Sequence, residues 1–343
     1  MTLRIGLIGA GANTRLRHIP GFRAIDGVEI VSVVNRTPES SRRVAEEFGI
    51  PKVANTPEEL IADPEVDAVC IGTWPYMHRE YTIRALEAGK HVLCEARMAA
   101  TAEEAEEMLR ISQAYPHLVA QVVPAPFDFR LGPTIARMVR EGELGRVVEA
   151  TVTVLNGSVL DPSTPLHWRQ RMDYSGRNIM MLGIYAEIIQ RWIGEAARVV
   201  ADGAIMIRER LDPETGQMRE VDVPDTFTAV ADLSTGTKVT YHLSSVAAHA
   251  PWNGIVLYGT EATLRWTPDD RAELTRDGRS FEPVEPDPGT DRGWRVEQDF
   301  VDSIQTGAPV RLTNFEDGLR YMRFVDAAWR SWREGRAVAI EPV

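Results

Sequence analysis

The sequence LRIGLIGAG at residues 3–11 places a largely apolar run directly before a Gly-x-Gly turn at Gly9 and Gly11. Such a run is typical of a buried parallel strand. When a strand enters a helix through glycines, the first helical N–H groups can approach a phosphate, and the positive end of the helix dipole favours the anion. The stretch therefore predicts a pyrophosphate site. Thr14 stands where the dinucleotide fingerprint expects a third small residue.

The composition of the chain excludes several classes of protein. Its 343 residues, 44% hydrophobic and 26% charged, form an average globular mixture long enough for two domains. The formal net charge of −12, with no basic cluster, argues against a nucleic-acid or membrane partner. Cys70 and Cys94 lie in apolar runs and are expected to be reduced thiols. With no signal-peptide pattern and no long apolar stretch, we expect a cytoplasmic protein.

Strand and helix patterns alternate from the glycine turn to residue 123. The next strands are predicted at 28–34, 67–72, 91–95 and 118–123. Between them, Thr37, Thr56 and Thr101 have the features of helix N-caps, and Gly49 and Gly89 those of helix ends. This alternation implies right-handed crossovers and a parallel sheet that is covered on both faces. We therefore predict an α/β Rossmann domain with a doubly wound parallel sheet over residues 1–123.

The pattern changes near Pro124, where we place the domain boundary. Residues 146–156 alternate with period two, as a half-exposed antiparallel strand does. Further strands are predicted at 198–208, 219–233, 237–246, 254–259 and 262–266, and helices at 178–193, 294–306 and 316–333. Residues 157–177 and 268–292 are predicted to be loops. Residues 124–343 are thus predicted to be an α+β domain with a large, mainly antiparallel open sheet.

Several motifs, taken in order, resemble those of the Gfo/Idh/MocA family of NAD(P)-dependent oxidoreductases. They are LRIGLIGAG, Thr73 to His78, GKHVLCE at 89–95, GELGRVV at 142–148 and the segment 316–338. The resemblance covers almost the whole chain. It implies a dehydrogenase that transfers a hydride between nicotinamide and a hydroxyl or keto group of a sugar, polyol or related small molecule. It also implies that the second domain binds substrate and that its open sheet builds a homodimer or homotetramer.

The resemblance also implies which residues bind the cofactor. Asn35 stands where an acidic residue would bind the ribose of NAD, so Arg36 and Thr37 would offer donors to a 2′-phosphate, and NADP is preferred over NAD. Alternatively, Arg36 only stacks on the adenine. His78 either contacts the cofactor or merely begins a helix. The predicted cofactor-binding residues are Gly9, Gly11, Ala12, Asn13, Asn35, Arg36, Thr37, Thr73, His78 and Glu95.

The chain departs from the family at both catalytic motifs. It reads Glu95-Ala96-Arg97 in place of Glu-Lys-Pro, and Met181, Tyr185 and Ile188 replace an Asp, a His and a second Asp. Arg97 stays charged, so it can stabilise an alkoxide but cannot accept a proton. Tyr185 is the predicted proton-transfer group, on the condition that a cation such as Arg97 lowers its pKa. The alternatives are that Tyr185 is a packing residue or that a water transfers the proton. Glu187 is predicted to be solvated or paired with Arg191, four residues later.

One polar segment of the second domain is the predicted substrate site. His167, Trp168 and Arg169 are predicted to bind substrate, because an indole stacks on a pyranose and a guanidinium grips a carboxylate. A solvated charged loop is the other interpretation.

No metal site is predicted, since His242 and His249 lack a carboxylate partner in register. A redox-neutral lyase or glycosidase that uses transient oxidation, or a catalytically silent protein that binds nucleotide and sugar, remains open.

Overall fold

A computed structural model describes residues 2–291 and 293–343. Met1, which precedes the predicted first strand, and Arg292, in the loop predicted at 268–292, lie outside it. The chain forms two compact units. The first comprises Met1–Pro124 and Arg295–Leu319, and the second Ala125–Trp294 and Arg320–Val343.

The first unit is built on one parallel sheet. In the described part of the chain this sheet has six strands in the order β3-β2-β1-β4-β5-β6. The order reverses beside β1, so the carboxyl ends of β1 and β4 flank the crevice in which such sheets bind ligands. This topology confirms the predicted Rossmann fold. The strands are β1 (Leu3–Ile8), β2 (Val28–Val34), β3 (Lys52–Val53), β4 (Ala68–Ile71), β5 (His91–Cys94) and β6 (Ala120–Val122).

Three helices of the first unit begin where local capping signals predict. The Oγ1 atoms of Thr37, Thr56 and Thr101 each accept a hydrogen bond from the N–H three residues later. The Glu59 and Glu104 carboxylates accept from the N–H of the residue before each cap, whereas in a capping box they would accept from the N–H of the cap residue itself. The helices are α1 (Ile19–Arg23), α2 (Pro38–Phe48), α3 (Pro57–Ala62), α4 (His78–Glu87), α5 (Ala102–Ala114) and α9 (Val296–Thr306).

Two features of the first unit differ from the prediction. The regular helix expected at 15–25 begins instead with a π-helical turn, Thr14–His18, before α1. The Ile19 N–H donates to the Thr14 carbonyl five residues earlier, which is the spacing of a π-helix. The predicted second domain also wrongly included residues 295–319. They belong with the first unit because α9 packs on it, with the Phe300 ring 6.4 Å from that of Phe22.

The second unit contains a larger, mainly antiparallel sheet, as predicted. Within residues 2–291 and 293–343 it has nine strands in the order β16-β15-β14-β13-β7-β12-β11-β8-β17, and only β7 and β12 are parallel neighbours. The strands are β7 (Val147–Leu155), β8 (Ala196–Ala204), β11 (Thr226–Leu233), β12 (Lys238–Ser244), β13 (Gly254–Gly259), β14 (Thr263–Thr267), β15 (Arg271–Thr275), β16 (Glu282–Pro283) and β17 (Val338–Ala339). A separate hairpin pairs β9 (Glu209–Leu211) with β10 (Met218–Glu220).

Helices cover one face of this sheet. Trp192 packs on Trp266 with ring centroids 5.4 Å apart, and Phe324 packs on Tyr241 at 5.1 Å. The helices are α6 (Gly132–Arg140), α7 (Met172–Ser175), α8 (Leu182–Trp192) and α10 (Phe315–Glu334), whose residues from Arg320 onward belong to this unit. No helix of the described residues is long and apolar enough to cross a membrane.

Two predicted segments of the second unit are wrong. The strand expected at 219–233 is divided, because Pro224 cannot donate to a ladder and the Asp225 carboxylate turns back to accept from the N–H groups of Met206 and Ile207. The loop expected at 268–292 contains β15 and β16. There Asp270 adopts a φ of 56°, which turns the chain so that Thr275 pairs with Thr263.

Candidate functional site

The glycine loop after β1 is closely packed on one side and exposed on the other. Gly9 has a φ of +85°, and a Cβ there would lie 2.8 Å from the backbone nitrogen of Thr73. Gly11, Ala12 and Asn13 are exposed. Thr14 is buried, and its hydroxyl donates to the Gly9 carbonyl at 3.1 Å, so the residue at the third fingerprint position closes the turn.

A second glycine, which the sequence analysis did not single out, completes this wall. Gly72 follows β4, and a Cβ at that position would overlap both the Thr14 hydroxyl and the Gly9 carbonyl. The carboxyl ends of β1 and β4 can approach each other only because Gly9 and Gly72 lack side chains. We call Gly9, Gly11 and Gly72 the glycine cradle.

The end of β2 presents a cation and an amide to this edge. The Asn35 side chain accepts from the Ala10 N–H at 2.6 Å and donates to the Ser40 carbonyl at 3.2 Å, so it ties the glycine loop to the start of α2. The Thr37 oxygen accepts from the Ser40 N–H. Arg36 is exposed, and its guanidinium carbon lies 5.3 Å from the ring centroid of Trp74, which follows β4.

The prediction that His78 contacts the cofactor is wrong, and the alternative prediction, that His78 begins a helix, agrees better with the structure. His78 is fully buried as the first residue of α4. Its Nε2 lies 3.0 Å from the Thr73 carbonyl, and its Nδ1 lies 3.0 Å from the Arg97 carbonyl. Burial lowers the pKa of His78, which favours a neutral ring. The side chain thus supports the loops after β4 and β5 from within.

Glu95, directly after β5, belongs to a buried charged cluster. His18 is fully buried, with Nε2 2.9 Å from Glu95 and Nδ1 2.5 Å from Glu297 of α9. The Asn13 amide also donates to Glu95, whose second oxygen accepts from the Ala96 N–H at 3.1 Å. Two residues predicted to bind cofactor, Asn13 and Glu95, are therefore brought together. His18, Glu95 and Glu297 are named the buried triad.

The charges of the buried triad stabilise one another. Burial by itself lowers the pKa of His18, but the hydrogen bonds to Glu297 and Glu95 outweigh it and raise the pKa to about 9. Burial by itself raises the pKa of Glu95, but the His18 and Asn13 bonds lower it overall. Near neutral pH the ring is therefore an imidazolium beside anionic Glu95.

The two predicted catalytic side chains are both buried. Arg97 is 4% exposed in the first unit, and Tyr185 is 2% exposed on α8 of the second. The Tyr185 ring packs on Phe127 with centroids 5.9 Å apart. The expectation that the pKa of Tyr185 is lowered is wrong, because burial raises it to about 12. A phenol in this state holds its proton near neutral pH and can donate it, but it is a poor base.

The predicted substrate segment is more structured than a solvated loop. The His167 ring nitrogen accepts from the Arg169 N–H and caps a 3₁₀ turn, Trp168–Gln170. The Arg169 guanidinium carbon lies 4.2 Å from the Trp168 ring centroid. Arg171, the next arginine along the chain, is buried between Asp173 and Glu214, each at 2.8 Å. Its charge is therefore already compensated.

Two further observations concern groups near these residues. Glu187 forms the predicted ion pair with Arg191, but the carboxylate is buried and accepts from the Ala125 N–H rather than facing solvent. In the part of the chain that the structure describes, no cluster of His, Cys, Asp and Glu has the arrangement of a metal site.

Two protein-family models match this chain. The model of the oxidoreductase family with an NAD-binding Rossmann fold, GFO/IDH/MocA, matches residues 3–121, and the model of the GFO/IDH/MocA C-terminal domain matches residues 133–265. The chain belongs to the Gfo/Idh/MocA family. Its relatives are named oxidoreductases and dehydrogenases.

Individual members of the Gfo/Idh/MocA family are distant but cover most of the chain. A D-xylose 1-dehydrogenase (NADP(+)) of Haloferax volcanii is 26% identical over 99% of this chain and 100% of its own. Levoglucosan dehydrogenase of Pseudarthrobacter phenanthrenivorans is 26% identical over 79% of this chain and 75% of its own. A solved levoglucosan dehydrogenase in complex with NADH is 24% identical, covers both chains fully and has a TM-score of 0.87, which establishes the shared fold.

The sequence alone did not identify His18, Glu297 and Gly72 as residues of this site. Gly72 could have been found, because it ends a strand beside the first one. No local signal marks the His18–Glu297 contact, because 279 positions separate the two residues.

Proposed function

We propose that this protein is an NAD(P)-dependent oxidoreductase that transfers a hydride between nicotinamide and a hydroxyl or keto group of a sugar or polyol. The glycine cradle carries the proposal, because it lies where a Rossmann sheet binds a dinucleotide. The relatives named for D-xylose and levoglucosan support a carbohydrate-like substrate.

The residues of the cradle fit a dinucleotide pyrophosphate. Gly9 and Gly72 leave no room for a Cβ on the packed side, while Gly11, Ala12 and Asn13 are exposed at the start of the helical segment. A bound nicotinamide would supply the hydride acceptor or donor. We propose that Tyr185 donates the proton that a carbonyl oxygen needs on reduction, and that Arg97 stabilises the alkoxide. Trp168 and Arg169 remain the proposed substrate contacts.

Titration calorimetry with NADH and NADPH, followed by turnover assays with sugars and polyols, tests this function. We expect tight binding of at least one nucleotide and steady-state conversion of oxidised to reduced cofactor. Binding with product formation but without net cofactor turnover would instead favour the redox-neutral reaction. Binding with no product would favour the silent binding protein. Binding of neither nucleotide would exclude all three.

Arg36 is the residue on which we base a preference for NADP. No carboxylate follows β2 directly, and the exposed guanidinium of Arg36 lies beside the Trp74 ring. Charge-assisted hydrogen bonds contribute about 1.5–3 kcal/mol, so Arg36→Ala should weaken NADPH binding by at least about tenfold. NADH binding should change by less than about threefold. Arg42→Ala, which removes an exposed arginine of α2, is the control. Equal losses for both nucleotides would indicate adenine stacking instead.

We also propose a homodimer or larger homo-oligomer formed through the open face of the nine-stranded sheet. Val200, Val230, Thr240, Thr151 and Val256 are paired in one row across five strands, and Val200 and Val230 are 43% and 41% exposed. Such a contiguous, weakly polar surface suits a self-complementary interface.

Sedimentation velocity tests this arrangement. The wild-type protein should sediment as a dimer or larger species, and Val230→Glu should shift it toward monomer because a buried carboxylate would be unpaired. Met206→Glu changes an exposed apolar residue outside the row and should have no effect. A monomeric wild type would contradict the proposal.

The cytoplasm is the compartment we infer. Cys70 and Cys94 lie in the neighbouring strands β4 and β5 and are both buried free thiols, a state that a reducing compartment preserves.

A further inference from the structure

The buried triad joins three segments of the first unit that are distant in sequence. His18 comes from the helical segment after the glycine loop, Glu95 from the end of β5, and Glu297 from α9. The side chains of Glu95 and Glu297 are 14% and 3% exposed.

The two carboxylate contacts of the ring determine where its protons are. Nε2 lies 2.9 Å from one carboxylate oxygen and Nδ1 lies 2.5 Å from another, and each contact needs a hydrogen between nitrogen and oxygen. A neutral imidazole has one N–H and would leave a lone pair facing a buried carboxylate. An imidazolium donates to both. The geometry therefore favours a positive ring between two negative groups, because a buried carboxylate without a donor is strongly unfavourable.

The triad extends to the glycine loop through Asn13. The amide of Asn13 donates to the same Glu95 oxygen that accepts from His18, and the other Glu95 oxygen accepts from the Ala96 N–H. Asn13 is exposed and lies two residues after Gly11. The exposed Asn13 amide beside the glycine cradle is thus positioned by the Glu95 carboxylate, and the buried His18 ring in turn positions that carboxylate.

We propose that His18 and Glu297 are positioning residues for the dinucleotide, because they fix the Glu95 carboxylate and, through it, the Asn13 amide at the glycine cradle. The proposal rests on the proposed function, in which the cradle binds the dinucleotide. His18 and Glu297 act through Glu95 and Asn13.

Gly21 gives independent support for the placement of Glu297. A Cβ on this residue of α1 would lie 2.5 Å from Glu297 Oε2. Alanine is the better helix former, so the glycine is explained by the space that the carboxylate occupies. Gly21→Ala consequently displaces Glu297 without changing any charge of the triad.

His18 is the member of this neighbourhood that titrates above neutral pH. Cys70 of β4, Cys94 of β5 and His78 of α4 are further titratable groups that interact electrostatically with Glu95 of the triad. Burial raises the pKa of both thiols and lowers the pKa of His78, so all three are neutral in this range. Because the folded-state pKa of His18 is raised to about 9, its contribution is complete below the ordinary histidine value of about 6.5 and is lost as pH rises through about 9.

The test is the affinity for NADPH and NADH as a function of pH, measured by nucleotide fluorescence on the full-length protein. Wild-type affinity should weaken as pH rises through about 9. Glu297→Gln keeps the shape but removes one carboxylate. It should weaken binding about tenfold near neutral pH and move the pH midpoint down by at least about one unit. Gly21→Ala should also weaken binding. Asp302→Asn, on the exposed side of the same helix, should change neither quantity.

The outcomes separate this inference from the proposed function. A wild-type protein that binds neither nucleotide overturns the function itself. Wild-type binding that does not change from neutral pH to about pH 10 overturns the positioning role, and this result needs no variant. The same conclusion follows if folded Glu297→Gln binds as wild type does, or if Asp302→Asn is equally impaired.

Discussion

Gly9→Ala is expected to destabilise the first unit and to abolish nucleotide binding. The φ of +85° is unfavourable for any residue with a Cβ, and the new methyl would lie 2.8 Å from the Thr73 backbone nitrogen, which cannot move without displacing the end of β4. Left-handed backbone costs about 1–2 kcal/mol and overpacking about 1–3 kcal/mol, so the free energy of unfolding should fall by about 2–5 kcal/mol. Urea denaturation followed by circular dichroism measures it.

Gly11→Ala is the matched variant that separates folding from binding. The nearest atom to a Cβ at Gly11 is the Gly72 carbonyl oxygen at 3.8 Å, and the position is exposed. Stability should stay within about 0.5 kcal/mol of wild type. The methyl would project where the pyrophosphate approaches, so nucleotide affinity should fall by at least about tenfold. Wild-type affinity in Gly11→Ala would contradict the glycine cradle as the phosphate site.

Tyr185→Phe is expected to lower the rate of carbonyl reduction by about 100-fold or more, the usual contribution of a general acid. Burial raises the pKa of the Tyr185 phenol to about 12, so the group keeps its proton across the usual assay range and serves as an acid. Its ionisation should therefore produce no fall in rate below about pH 10. Steady-state kinetics with a carbonyl substrate and reduced cofactor provide the measurement.

Tyr241→Phe is the control for the loss of a buried hydroxyl. Tyr241 is 1% exposed in β12, where its ring packs on Phe324, and its variant should retain the wild-type rate. Nucleotide affinity should change by less than about threefold in either variant. If Tyr185→Phe keeps its rate within about threefold, the tyrosine is a packing residue against Phe127 and another group supplies the proton.

Features that depend on neighbouring residues were predictable from the sequence. Thr37, Thr56 and Thr101 cap helices because the hydroxyl and the N–H it receives lie three positions apart. Gly9 closes a turn whose requirement for glycine is local. The parallel sheet followed from the alternation of short strands and helices, since the chain permits few ways to connect them.

Features that depend on distant residues were not predictable. In the sequence, His18 lies in the segment TRLRHIPGFR at 14–23, and nothing in that segment indicates that Glu297 reaches it. Arg171 reads as an available cation until the fold brings Glu214 to it. The direction of the Tyr185 pKa shift depends on how deeply α8 is buried, which one amphipathic pattern does not specify. In each case a tertiary contact, not a local preference, determines the chemistry.

The return of α9 to the first unit has a consequence for biosynthesis. A ribosome makes the six strands of the parallel sheet early, but it makes the helix that supplies Glu297 and covers Phe22 only after residues 125–294. Until most of the second unit has been translated, His18 in the nascent amino-terminal unit therefore has one carboxylate beside it, that of Glu95, instead of two. Completion of the nucleotide-binding half is thereby coupled to synthesis of most of the second unit.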